Sequence, residues 1–257
     1  LRAVSLPSYL DPVDARRVLD LLRERRVVVL AGEGSVATLN EANALLAWSD
    51  AFGYPVFADP LSGLRSVSDP LIIDNYDTVL AAPADDLTPE VIIRFGRFPV
   101  SKRATTFMAQ ANAVNIVVDP YETRDYNSAT DLLLRCTPLD FSQSLLAGLR
   151  GVERETMLND RQRQFAYEWV RANDAAAARI DAVDAAEEGF EGAFVRRVVD
   201  RAPDGSCLFA ANSMSVRALD TFYMKGGKEL TVLCNRGLNG IDGTVSTALG
   251  AAQHFAH

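Results

Sequence analysis

Between the charged stretch Arg23-Glu24-Arg25-Arg26 and the turn Gly32-Glu33-Gly34 stand five apolar residues in a row, Val27-Val28-Val29-Leu30-Ala31. A strand with one face in water would alternate apolar and polar side chains. This one does not alternate, and three of its residues are β-branched, so both of its faces must be covered. A strand buried on both faces belongs in a parallel sheet with helices on each side.

The flanking segments supply those helices. Asp11 can cap a helix whose first residue is Pro12 and whose apolar side is Val13, Leu19 and Leu22. A second helix is predicted from about Thr38 to Phe52, ended by Gly53, with a strand at Tyr54-Pro55-Val56-Phe57-Ala58. Short strands follow at Val79-Leu80 and Val91-Ile92-Ile93-Arg94-Phe95, then a helix from Ser101 to Ala111 and a strand from Val114 to Val118. The fold class is therefore α/β, with a Rossmann-like parallel-sheet domain over residues 1–150.

Residues 119–151 are less regular. From Glu153 to Glu188 the chain reads as a long helical stretch. Its Ala-rich end, Asp174 to Glu188, has a linker as rival reading, against which Trp169, Val170, Ile180 and Val183 mark an apolar side. After Gly189 come a helix from Ala193 to Asp200, the turn Pro203-Asp204-Gly205, and strands at Cys207–Ala211 and Leu230–Cys234. Two strands are too few for a stable doubly wound sheet. The apolar helix from Thr244 to His257 also lacks a Gly, Asn or Pro to end it. Residues 151–257 thus read as connecting helices and the opening of a second α/β domain, in a piece of a longer protein.

Composition narrows the function. With 48% hydrophobic and 23% charged residues the chain is that of a globular protein, and it has no apolar run near the roughly 18 residues of a membrane span. Leu1 to Tyr9 lack the pattern of a signal peptide, so a cytoplasmic setting is expected. A net charge of −8 argues against a nucleic-acid surface but leaves room for small anions held by a few converging arginines. Cys136, Cys207 and Cys234 have no metal spacing, and Cys207 and Cys234 read as buried thiols. The only histidines, His254 and His257, lie at the extreme end, which supports a Ser-His-Asp hydrolase poorly.

Four segments carry possible chemistry. Gly32-Glu33-Gly34-Ser35-Val36-Ala37 has the G-x-G-x-x-A form of a dinucleotide turn, but no acidic residue stands where the ribose would need it, and a tight structural turn is the rival. Lys102 and Arg103 open a helix, where cations oppose the helix dipole; they serve a ligand or form a solvated pair. Asn212-Ser213-Met214-Ser215-Val216-Arg217 follows a strand at the sheet edge where α/β proteins bind ligands, though Asn and Ser also cap helices. Asn235 to Gly243 occupies the same position after the next strand, with three glycines and Arg236 in nine residues. That combination favours an anion site, and Arg217 and Arg236 on one sheet edge are expected to face one ligand.

These last two segments resemble the thiamine-diphosphate-dependent 2-succinyl-5-enolpyruvyl-6-hydroxy-3-cyclohexene-1-carboxylate synthases of menaquinone biosynthesis. The matching residues are Asn212, Ser213 and Arg217, then Asn235, Arg236, Gly237, Gly240, Ile241, Asp242 and Gly243, followed by Ser246-Thr247-Ala248. Lys102-Arg103 resembles the family's basic pair, and residues 1–150 resemble its central domain. The resemblance implies thiamine diphosphate and Mg2+ as cofactors, 2-oxoglutarate and isochorismate as small anionic substrates, and a homodimeric parent enzyme. It implies that Ser213, Arg217 and Asn212 hold the succinyl carboxylate, with Arg236 in the same cleft and Lys102 and Arg103 facing isochorismate. Ile241 would wedge beneath the cofactor, and the Gly240 carbonyl would accept from its aminopyrimidine. The activating glutamate and the metal ligands of the family are not matched here, so this chain alone is expected to be inactive. A carboligase with another acceptor, and a non-catalytic nucleotide-binding module using Gly32 to Ala37, remain as alternatives.

Overall fold

A computed structural model of the chain describes residues 10–121, 125, 128–149, 158–237 and 240–255. Its larger sheet has six strands: β1 (Val27–Ala31), β2 (Val56–Ala58), β3 (Ile72–Ile73), β4 (Val91–Phe95), β5 (Val114–Val118) and β6 (Leu132–Leu134). They run β3-β2-β1-β4-β5-β6 and every neighbouring pair is parallel. This is the strand order of the Rossmann doubly wound sheet.

The apolar run is β1, buried over its whole length at the centre of that sheet. Its side chains alternate between two cores, as strand geometry requires. Val27, Val29 and Ala31 pack with helices α1 (Pro12–Leu22), α2 (Leu39–Phe52) and α5 (Pro138–Gly148). Val28 and Leu30 face the opposite layer, with Phe57, Tyr76, Phe165 and Trp169.

Helix ends follow the predicted signals. Asp11 accepts from the Val13 amide with Pro12 in the first turn, and Gly53 ends α2 in the left-handed region. Val13, expected on the apolar side of α1, is 60% exposed, and that side is formed by Ala15, Val18, Leu19 and Leu22. Two further expectations need correction. Val79-Leu80 is no strand: Tyr76–Val79 is a short helix, α3, and the strand beside β2 is Ile72–Ile73. Two residues suffice there because both are fully buried at the sheet edge, and so brief a run has no visible period. The irregular region also contains β6 and α5, the latter capped by Thr137 with Pro138 behind it.

Helix α6 (Asp160–Ala186) is continuous through the Ala-rich segment, which excludes the linker reading; the expected helical residues 153–157 lie outside the described residues. It packs on the larger sheet. Phe165 and Trp169 enter the second core, and Gln162 bridges the Gly53 carbonyl and the Val27 amide at 2.5 and 3.0 Å. Asn173 accepts from the Asn75 amide at 2.9 Å and donates to Asp74 at 3.1 Å. A division after residue 150 therefore separates a helix that the packing joins to the first unit. Phe165 and Trp169 of its apolar face have their complement there, while Asp181 and Asp184 near its other end pair with Arg196 of the second unit.

The second unit comprises α7 (Glu191–Arg201), β7 (Cys207–Ala210), α8 (Met214–Phe222), β8 (Thr231–Cys234) and α9 (Thr244–Phe255). β7 and β8 form a parallel two-stranded sheet. Its core of Val195, Ala210, Val216, Leu219 and Leu230 takes in Leu61 and Val100 from the first unit. Cys136 is buried, whereas Cys207 and Cys234 are only half-buried, because a two-stranded sheet covers its strands incompletely. Among the described residues no helix is long and apolar enough to cross a membrane.

Candidate functional site

Helix α4 (Lys102–Gln110) follows β4 and starts at Ser101, whose hydroxyl accepts from the Ala104 amide at 2.9 Å. This cap places Lys102 and Arg103 in the first turn, both exposed. Helix α8 approaches from the second unit and brings Arg217 to the same place. The three cations line one cleft of about 570 Å³, with Val100, Phe107 and Met214 as apolar wall. Residues 115 positions apart in sequence, Lys102 and Arg217, thus share one cationic site.

Behind this cleft lies a network not anticipated from the sequence. Arg65, 1% exposed, donates from Nε to the Ala58 carbonyl at 2.8 Å and from Nη2 to Asp220 at 2.9 Å. Its Nη1 donates to the carbonyls of Leu219, Asp220 and Tyr223, the last turn of α8. Tyr76 donates to the same Asp220 oxygen at 2.7 Å. Burial pushes the Asp220 carboxyl up to about 7, against the pull of Arg65. Asp59, at the end of β2, accepts from the Leu61 and Val100 amides; burial raises its pKa although those amides, Arg65 and Arg236 lower it. Nothing in the local sequence Gly63-Leu64-Arg65 distinguishes this arginine from a surface one. The only hint was Asp59 directly after a strand.

The two loops of the second unit are joined by Asn212. Its amide donates to the Gly240 carbonyl at 2.6 Å and accepts from the Cys234 thiol at 3.2 Å. Asn212 is buried, so its observed contacts tie the loops together and include no open ligand surface. Ser213 has φ 66° and ψ −126°, an uncommon backbone conformation for a residue with a side chain, and its hydroxyl does not cap α8. Such strain costs on the order of 1–3 kcal/mol and collects at functional sites. Arg236 is half-buried after β8, close enough to Asp59 and Cys234 that its charge opposes the burial that raises the pKa of both, but it is not among the residues lining the Lys102–Arg217 cleft. The structure thus groups Lys102, Arg103 and Arg217, and sets Arg236 apart near Asp59. Asn239 and His257 lie outside the described residues.

The turn Gly32 to Ala37 is packed shut. A Cβ on Gly32 would sit 1.8 Å from the Arg97 carbonyl, and one on Gly96 would sit 2.3 Å from the Glu33 carbonyl. These glycines let the loops after β1 and β4 cross. Arg97 is paired with Glu33, and the Glu41 carboxylate already accepts from the Ala37 and Thr38 amides at the start of α2. A pyrophosphate would meet two carboxylates there, which counts against the dinucleotide reading.

The family model described as "Middle domain of thiamine pyrophosphate" matches residues 8–209. The chain belongs to the thiamine pyrophosphate enzyme family. It is 37% identical over 238 residues to the 2-succinyl-5-enolpyruvyl-6-hydroxy-3-cyclohexene-1-carboxylate synthase of Bacillus cytotoxicus, covering 90% of this chain and 39% of the relative. Synthases of the same name from Desulfitobacterium hafniense and Listeria welshimeri are 34% and 37% identical over 234 and 212 residues. These matches cover 90% and 79% of this chain and 40% and 35% of those relatives. The chain thus spans about two fifths of the length of these curated relatives. The matched middle domain contains the six-stranded sheet and α6, and extends through most of β7.

Membership of the thiamine pyrophosphate enzymes makes thiamine diphosphate the expected cofactor, and the residues present suit its ring end. Ile241 is 65% exposed, an apolar side chain without cover, and the neighbouring Gly240 has open space where a Cβ would stand. The Gly240 carbonyl, held by Asn212, keeps a second lone pair for another donor. Among the described residues no group of three or more His, Cys, Asp or Glu could hold a metal ion.

Proposed function

We propose that this chain is part of a thiamine-diphosphate-dependent synthase that decarboxylates 2-oxoglutarate and joins the remaining four-carbon unit to isochorismate in menaquinone biosynthesis. The observation that carries this reading is the convergence of Lys102, Arg103 and Arg217 on one cleft at the junction of the two units. Three cations beside an apolar wall suit carboxylate substrates, and they argue against a carboligase whose acceptor is a neutral aldehyde. The wall lowers the local dielectric and strengthens each ion pair.

In this reading Arg217 and Ser213 bind the succinyl carboxylate, while Lys102 and Arg103 bind the carboxylates of isochorismate. Arg236 adds positive potential from the Asp59 side. Asn212 acts indirectly, by fixing the Gly240 carbonyl that would accept from the aminopyrimidine. Ile241, apolar and exposed, would cover the cofactor rings and exclude water from them. When bound, thiamine diphosphate supplies the electron-accepting centre for decarboxylation and carbon–carbon bond formation. Magnesium, a homodimer and a cytoplasmic setting belong to the same proposal and rest on the family resemblance.

Because the chain spans only about two fifths of its relatives, we expect no turnover from these 257 residues alone. The test is an assay of the complete enzyme with 2-oxoglutarate and isochorismate. Carbon dioxide release with formation of the adduct supports the proposal. Neither product, or a preference for neutral aldehydes over isochorismate, counts against it.

A further inference from the structure

The cationic cleft is also lined by two acids, the buried Asp220 held by Arg65 and Tyr76, and Asp77, for which binding anions gives no reason. Asp77, in α3, lines the cleft beside Lys102, Arg103 and Arg217. One of its oxygens accepts from the Ser101 hydroxyl at 2.5 Å and the other from Arg103 Nη1 at 2.6 Å. Its side chain is 14% exposed, while that of Arg103 is 54% exposed. An acid placed among three cations weakens the field that attracts an anionic ligand.

One explanation is countercharge. Lys102 and Arg103 sit in the first turn of α4, where the helix dipole disfavours cations, and a nearby acid relieves that. The contacts are more selective than such a role requires. Asp77 is bonded to Arg103 and to the cap of the same helix, while Lys102 and Arg217 have no ion pair among the described residues. The Ser101 hydroxyl both donates to Asp77 and accepts from Ala104, so the carboxylate is fixed to the backbone of α4. An arginine held at one Nη1 proton keeps four other donors in a planar fork. Its long side chain has then lost freedom before any ligand arrives, which is how preorganised sites gain affinity. The residue before Asp77 works on the opposite wall: Tyr76 donates to Asp220, three residues beyond Arg217 on α8. The Tyr76–Asp77 step therefore ties the Arg103 wall and the Arg217 wall to one short helix.

We propose that Asp77 is a positioning residue for the anionic acceptor, acting through Arg103. The inference rests on the functional reading given above, in which Lys102 and Arg103 face isochorismate.

Countercharge and positioning predict opposite signs. If Asp77 only offsets positive charge, Asp77→Asn strengthens anion binding and the KM for isochorismate falls. If it positions Arg103, that KM rises about three- to tenfold, the cost of reordering one long side chain, while the KM for 2-oxoglutarate stays within about twofold. In an Arg103→Met background, Asp77→Asn should then change the isochorismate KM no further, because the residue it acts through is gone. Thermal unfolding of each variant separates these effects from loss of fold, and Asp77→Glu, which keeps the charge and shifts it, gives a second variant if Asp77→Asn does not fold. An unchanged or lower isochorismate KM overturns the inference, as does an equal loss in the Arg103→Met background. A complete enzyme inert toward isochorismate sinks the functional reading instead. Titration of wild type and Asp77→Asn with succinate as a plain dicarboxylate then decides the positioning role. Weaker binding by the variant supports it, and equal or tighter binding, or none by the wild type, overturns it.

Discussion

Asp220 is an acid with an arginine at 2.9 Å and a tyrosine hydroxyl at 2.7 Å, yet burial still raises its pKa from 3.8 to about 7. The sign of the consequence follows from proton counting. Between about pH 4 and pH 7 the folded chain holds a proton that the unfolded chain has released, so rising pH favours unfolding through this group. Urea unfolding at stepped pH should show the wild type losing stability relative to Asp220→Asn across that window. A difference that is flat, or that grows with pH, would show that Asp220 titrates normally. Arg65 has the larger burden, since its guanidinium serves the Ala58 carbonyl, three carbonyls at the end of α8 and the Asp220 carboxylate. Arg65→Met leaves those acceptors buried without their donor, at a cost of about 3–5 kcal/mol in chemical denaturation. A loss under about 1 kcal/mol would mean that water replaces the guanidinium readily.

Among the elements, α6 shows how far local sequence reaches. Its helical character and its apolar side, with Trp169 and Ile180 buried, were legible from spacing. Its docking partner was not, because periodicity says that a face is buried but not against what. Trp169 packs edge-on against Phe57 at 4.6 Å, under the first sheet. Trp169→Ala should therefore cost about 3–5 kcal/mol of the stability of the first unit, read by tryptophan-independent circular dichroism on urea unfolding. Little or no loss would place α6 outside that core. The long strands β1, β4 and β5 were legible because each is a five-residue run dominated by apolar, mostly β-branched residues, broken only by Arg94 in β4 and Asn115 in β5. The short β3 and β6 were not, since two or three residues have no measurable period. At the site, Lys102, Arg103 and Arg217 were visible as residues in unusual positions. Asp77, Tyr76, Arg65 and Asp220 were invisible because their meaning arises chiefly from contacts across 24 to 158 positions of sequence.

At the scale of the molecule, two units meet through charge and hydrogen bonding as well as apolar contact. Leu61 and Val100 enter the second unit's core, Lys225 donates to Asp74 and to the carbonyls of Asp69 and Ile72, and Arg65 holds the end of α8. This junction gives the cleft its shape, because Lys102 and Arg103 come from one side and Arg217 from the other. The site is thus a property of how the units are joined, and neither unit contains it alone. We propose that this joined cleft binds the carboxylates of the substrates. Its most direct test is the 2-oxoglutarate KM of the complete enzyme carrying Arg217→Ala. Loss of a hydrogen-bonded charge pair predicts a rise of about ten- to hundredfold. A KM equal to that of the wild type would show that Arg217 does not hold that substrate.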